Sequence, residues 1–215
     1  MARSAQQYKE LSIKEFTKAA TKYESDHAGV YELCKKDYPA VLQELEQEEF
    51  SDLLDAGCGP GPMLAILSEK YPDKHYTGID LTPAMIEQAK NKQLENTTFL
   101  AGDCEHLPFE DESFDVILCL NSFHHYPSPQ DFFDGVLRCL RPGGRLILRD
   151  LSTDNPLLIW FIDHIELPFC RLFGHGDVRL TTRKAILQYA KKAGLSTEKC
   201  EMQKGMRLHC VIRKK

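Results

Sequence analysis

The stretch Leu53-Leu54-Asp55-Ala56-Gly57-Cys58-Gly59-Pro60-Gly61 decides how the chain is read. Residues 52–56 have the length and apolar character of a buried strand. Glycines follow at alternate positions 57, 59 and 61, and residues 62–70 then resume a helical period, with Pro62 suited to a first helical turn. Glycine permits backbone conformations and close approaches that a Cβ forbids. The helix behind the loop begins with N–H groups that have no partner of their own. A strand, a glycine turn and a helix in this order predict either a ligand site at a strand's carboxyl end or a plain tight turn. The spacing helps to choose. A dinucleotide loop reads G-x-G-x-x-G, so that a pyrophosphate can rest on the helix start. Here the pattern is G-x-G-x-G and Pro62 takes the third-glycine place, which suits a ligand without a diphosphate.

Working outward, residues 76–79 form a second strand and residues 83–92 a second helix, for which Thr82 offers an N-cap side chain. Residues 98–101 give a third strand. Residues 114–120 give a fourth, apolar nearly throughout, as a strand covered on both faces should be. Helix returns over 131–140, Arg141-Pro142-Gly143-Gly144 reads as a stop and turn, and 145–148 is a fifth strand. Residues 195–201 and 206–213 read as a terminal antiparallel hairpin turning at Gln203-Lys204-Gly205. The alternation predicts an α/β fold, a mostly parallel Rossmann-like sheet with helices on both faces. Before it, residues 8–49 read as helices, with Phe16, Ala19, Ala20 and Tyr23 on one face.

Two further acids stand at strand ends. Asp80, in Gly78-Ile79-Asp80, can accept hydrogen bonds from both hydroxyls of a ribose; the alternative is a strand-end aspartate facing water. Asp103, in Ala101-Gly102-Asp103-Cys104-Glu105, can accept from an adenine amino group, and the Cys104 N–H can donate to a ring nitrogen. Nicotinamide sites use a carboxylate at the Asp80 position too, so Asp80 alone does not separate the ligands.

Together these stretches resemble the class I S-adenosylmethionine-dependent methyltransferases, from about Leu53 to Leu148. The resemblance runs through Leu81-Thr82-Pro83-Ala84-Met85, Leu107-Pro108-Phe109, Ser113-Phe114-Asp115-Val116-Ile117 and Leu140-Arg141-Pro142-Gly143-Gly144. It looks closest to the small-molecule branch that includes quinone-biosynthesis methyltransferases. It implies a seven-stranded sheet with the last strand antiparallel, and S-adenosylmethionine as cofactor, leaving as S-adenosylhomocysteine. It implies that Asp55, Gly57 and Gly59 hold the methionine end, Asp80 the ribose, Leu81 and Met85 the adenine faces, and Asp103 with Cys104 the adenine edge. Tyr23 and Asn121 join them as candidate cofactor contacts. The loop after the fourth strand, Asn121-Ser122-Phe123-His124-His125-Tyr126-Pro127, borders the transferred methyl in this fold, which makes His124 and His125 candidate general bases, or only pocket walls. Two adjacent histidines are poorly spaced as metal ligands and no H-x-x-x-H or C-x-x-C occurs, so no metal is expected.

Composition bounds the rest. The chain has 215 residues, a net charge of −5 and 42% hydrophobic residues, which fits one globular domain with an appended segment and gives no reason to expect a nucleic-acid partner. The Asp/Asn-Pro-Pro-aromatic motif of amino-directed DNA methyltransferases does not stand after the fourth strand, and three cysteines placed for an arsenic acceptor are not evident. No apolar run approaches a membrane span, and the first residues lack the apolar stretch of a signal peptide. The eight cysteines sit mostly among apolar neighbours, as expected of small core hydrophobes in a reducing, cytoplasmic setting. The expected division is a helical lid over residues 1–50 and a cofactor-binding domain over 51–215. Residues 155–176, rich in bulky apolar side chains around Trp160, form a substrate-covering insertion, a dimer contact or a core helix. The function expected is methyl transfer to oxygen, nitrogen or carbon of a small-molecule acceptor. The alternatives are a non-catalytic S-adenosylmethionine-binding protein and, less well supported by the loop spacing, a nicotinamide oxidoreductase.

Overall fold

The computed structural model describes residues 4–25, 30–173 and 176–215. Met1–Arg3, four residues of the expected lid at 26–29, and positions 174–175 of the expected insertion lie outside the described residues. The chain opens with helices α1 (Ala5–Ala19), α2 (Val30–Lys35) and α3 (Tyr38–Leu45). Alternation follows: β1 (Asp52–Ala56), α4 (Pro62–Lys70), β2 (His75–Asp80), α5 (Pro83–Asn91), β3 (Thr97–Ala101), β4 (Phe114–Leu120), α6 (Pro129–Cys139) and β5 (Leu140–Leu151). After α7 (Pro156–Phe161), a π-helical turn (Ile162–Glu166) and α8 (Leu167–Leu172), the chain ends with α9 (Arg183–Ala193), β6 (Ser196–Gln203) and β7 (Arg207–Arg213).

The seven strands form one sheet in the order β3-β2-β1-β4-β5-β7-β6. Strands β1 to β5 pair in parallel, and β7 runs antiparallel to both neighbours, as expected. The order reverses between β1 and β4, so their carboxyl ends diverge into the crevice where open α/β sheets bind ligands. Apolar side chains alternate across the sheet. Leu54, Ile117 and Cys119 pack on one face with Phe132, Phe133 and Val136 of α6 and Ile186 of α9. Leu53, Val116 and Leu118 pack on the other with Val41, Leu45, Leu64, Leu67 and Ile86. This two-sided burial fixes the register, since a one-residue slip would reverse every side chain.

The structure departs from the sequence reading in four places. Arg141-Pro142-Gly143-Gly144 does not end before β5 but bulges inside it: Phe114 pairs with Leu140, the next paired residues are Val116 and Arg145, and Gly143 adopts φ +80°. Thr82 occupies the N-cap position of α5 but its side chain caps nothing. Helix α9, which the sequence reading passed over, is capped by the Thr182 side chain accepting from Ala185 N–H and closed by Gly194 at φ +85°. The apolar residues Leu157, Trp160, Phe161 and Phe169 are exposed, Trp160 stacks on His164, and no described residue of 155–173 lines the pocket.

Candidate active site

The carboxyl ends of β1, β2, β3 and β4 and the three amino-terminal helices enclose a pocket of about 950 Å³, open mouth included. The glycine loop forms its floor. Gly57, Gly59 and Gly61 all have positive φ, and Gly57 and Cys58 N–H donate to the Ile79 carbonyl, tying the loop to β2. A Cβ on Gly57 would lie 2.3 Å from Ser122 Oγ, whereas one on Gly59 would meet nothing within 4 Å. Gly57 thus allows the loop to press against the end of β4, and Gly59 keeps the ligand side open.

Asp80 is fixed by two backbone donors: Gly59 N–H to Oδ2 at 2.9 Å and Thr82 N–H to Oδ1 at 2.8 Å. Burial pushes its carboxyl up and these bonds pull it back. Asp55 is 3% exposed and is raised to about 7, first by burial and then by the Asp80 charge. At the other end of the pocket Asp103 accepts from Glu105 N–H at 3.0 Å, and its second oxygen meets Lys9 Nζ at 2.6 Å and His106 Nδ1 at 3.1 Å. Burial alone would raise Asp103, but Lys9 and these hydrogen bonds outweigh it and hold the carboxyl below its ordinary value. Lys9 also pairs with Glu105 at 2.5 Å.

Every candidate cofactor residue lines this one pocket: Tyr23, Asp55, Gly57, Gly59, Asp80, Leu81, Met85, Asp103, Cys104 and Asn121. The two histidines part company. His125 lines the pocket and packs edge-on against Phe16 of α1 at 5.1 Å. His124 turns away, its Nδ1 2.7 Å from Oδ1 of the fully buried Asp150. Burial and the neighbouring His124 lower His125 to about 4, while for His124 the Asp150 carboxylate outweighs burial and raises it.

The sequence reading missed Lys9, Ser12, Cys34 and Tyr38 as pocket walls. One signal was available: Lys9, Ser12 and Phe16 recur at helical spacing on one face of α1. Asn121 carries a second surprise. It sits at φ +52°, and its side chain bridges Asp37 and Arg207, at 2.9 and 2.7 Å.

Residues 54–148 match the family described as methyltransferase domain. The chain is 40% identical over 112 residues to a phthiotriol/phenolphthiotriol dimycocerosates methyltransferase of Mycobacterium leprae, covering 52% of this chain and 42% of that protein. It is 37% identical over 120 residues to an arsenite methyltransferase of Halobacterium salinarum, covering 54% and 30%. The chain therefore spans less than half the length of the curated relatives it matches. The fold is shared with Burkholderia thailandensis 1,6-didemethyltoxoflavin-N1-methyltransferase, solved with 1,6-didemethyltoxoflavin and S-adenosylhomocysteine, at a TM-score of 0.71, 19% identity and coverage of 100% and 92%. Among the described residues no helix is long and apolar enough to cross a membrane.

Proposed function

We propose that this protein transfers a methyl group from S-adenosylmethionine to a small-molecule acceptor, and that the ten pocket residues named above hold the cofactor. The observation that carries the reading is the charge of the pocket. Asp55, Asp80, Asp103 and Glu105 face Lys9 as the lone lysine or arginine among the described lining residues. Four carboxyl groups favour a cationic ligand bearing a ribose and would repel a pyrophosphate. This disfavours the nicotinamide alternative independently of the loop spacing. S-adenosylmethionine supplies a methyl group already activated on a sulfonium, so the protein's task is positioning and exclusion of water. Asp80 is held by two N–H groups with lone pairs left to accept from ribose hydroxyls. Asp55 lies on the same floor, where a positive charge would favour its ionised form. Asp103 accepts at the adenine edge if Lys9 yields, and α1 lies over this end as part of a lid formed by residues 1–50. His125 is the histidine that faces the acceptor side, and His124 supports that turn through Asp150. The relatives are named for dissimilar acceptors, which supports a small molecule and no narrower class. The cysteines, all free thiols, suit a cytoplasmic setting.

S-adenosylmethionine and S-adenosylhomocysteine should raise the melting temperature, and NAD and NADP should not. At about 100 times the dissociation constant the gain is about 2.7 kcal/mol, or roughly 5–10 °C for a domain of this size. An unmoved melting curve at millimolar S-adenosylmethionine would exclude the reading, and release of S-adenosylhomocysteine across an acceptor panel distinguishes an enzyme from a binding protein.

Asp55 makes the binding pH-dependent. With its carboxyl raised to about 7, the empty site is protonated there below that pH. A cation beside it favours the ionised form, so binding at lower pH must release a proton. Affinity for S-adenosylmethionine should rise with pH up to about 7 and fall about tenfold per unit below it. Calorimetry from pH 5.5 to 8 in buffers of different ionisation enthalpy reads both the slope and the proton. Asp55→Asn should flatten the profile, and an equally steep profile in that variant would assign the proton elsewhere.

A further inference from the structure

We propose that His124, His125 and Asp177 form a binding site for a divalent transition-metal ion of the zinc class, set in the wall of the pocket. Asp177 Oδ1 lies 3.6 Å from His124 Nε2 and 3.5 Å from His125 Nδ1, and all three donors fall within 4.8 Å of one another. These separations are too long for hydrogen bonds, which end near 3.2 Å. They are close to what an ion imposes. Zinc holds imidazole nitrogen and carboxylate oxygen at about 2.0–2.1 Å, so ligand atoms around a tetrahedral ion stand about 3.3–3.4 Å apart.

Three further observations point to the same site. His125 Nδ1 is buried and has no hydrogen-bond partner, a state that costs free energy unless something occupies the lone pair. His124 has its other nitrogen committed. Its Nδ1 meets Asp150 Oδ1 at 2.7 Å, and Asp150 is itself held by His124 N–H, Leu151 N–H and Thr181 Oγ1 at 2.8–3.0 Å. A carboxylate behind an imidazole fixes the ring and aims its free nitrogen at the metal, as outer-sphere carboxylates do in metal sites generally. The Asp177 loop is anchored at both sides, by Val178 N–H to the His124 carbonyl at 3.1 Å and Gly176 N–H to Glu15 Oε2 at 2.8 Å.

Adjacency counts against two histidines on one face of an α-helix. Phe123–His125, however, is a 3₁₀ turn, and it brings the two rings to 4.1 Å between centroids. The third donor comes from a loop that only the fold delivers. Two imidazoles and one carboxylate favour zinc, cobalt or ferrous ion over magnesium or calcium. Three protein ligands leave a coordination position open, and His125 reaches the pocket, so an acceptor's oxygen, nitrogen or sulfur could take that position. The ion site itself does not depend on the methyl-transfer reading.

The test uses the chelator-treated 215-residue protein titrated with zinc chloride and, as a coloured probe, cobalt chloride. One equivalent should bind, raise the melting temperature and, for cobalt, give visible d–d bands without a thiolate charge-transfer band. Asp177→Asn, a change on a partly exposed loop, and His125→Gln should each weaken binding at least tenfold while melting as the parent does in chelator. The competing thiol pair Cys200 and Cys210, whose sulfurs lie 2.7 Å apart, is removed in a Cys200→Ser/Cys210→Ser variant, which should bind as the parent does. Binding unchanged in Asp177→Asn and His125→Gln, loss of binding in the double serine variant, or no binding by millimolar metal would each overturn the proposal.

Discussion

Asp37→Ala is expected to destabilise the protein by about 3–5 kcal/mol, because it strands a buried guanidinium. Asp37 is 1% exposed and lies just ahead of α3. Its Oδ1 accepts from Arg149 Nε and Nη2 at 3.1 and 3.0 Å and from Arg207 Nε at 3.1 Å, and its Oδ2 accepts from Arg207 Nη2 and from Asn121 Nδ2. Arg149 on β5 is 3% exposed and, among the described residues, keeps one other side-chain partner, Gln203, at 2.9 Å. Removing the carboxylate leaves a desolvated positive charge without its counter-ion, which costs more than the pair itself contributes. For a chain of this size, a fall in melting temperature of roughly 6–20 °C follows. Cofactor affinity should fall as well, since Asn121 at the pocket wall would lose a side-chain partner. A variant melting within about 2 °C of the parent would mean that water enters and solvates Arg149, contrary to the burial seen here.

Asp80→Ala is expected to weaken S-adenosylmethionine and S-adenosylhomocysteine binding by about 10² to 10⁴, with the fold retained. A hydrogen bond to a charged acceptor contributes roughly 1.5–3 kcal/mol, and two ribose hydroxyls would lose theirs together. The loop suffers too, because Gly59 and Thr82 N–H lose their acceptor. A second readout separates this role from a merely structural one. The Asp80 charge helps to raise Asp55, so its removal should move the pH midpoint of binding below 7. Calorimetry giving a dissociation constant within threefold of the parent, and an unmoved midpoint, would remove Asp80 from the ribose site.

The sheet and the pocket floor were legible in sequence because their determinants are local. An apolar run, glycines at 57, 59 and 61 and a helical period follow one another within nineteen residues (52–70), and the chemistry of each acts on its neighbours. Strand ends carrying Asp80 and Asp103 are local in the same way. Even the antiparallel β7 was readable, from two alternating runs joined at a glycine. Tertiary structure alone decided who meets whom across the crevice. Asp103 was expected to await an adenine; it holds Lys9, 94 residues away. His124 and His125, equivalent in sequence, are distinguished by Asp150, which reaches His124 alone from β5, whereas Asp177 faces both from the loop before α9. Arg141-Pro142-Gly143-Gly144 reads as a turn in isolation, yet pairing with β4 holds it in β5 as a bulge. The bulky run around Trp160 has the composition of a core helix and stands exposed. The physical reason is common to all four: apolar periodicity encodes that a face is buried and glycine encodes where the chain can turn, but a charge's partner and a side chain's cover are set by elements that packing brings together from distant parts of the chain.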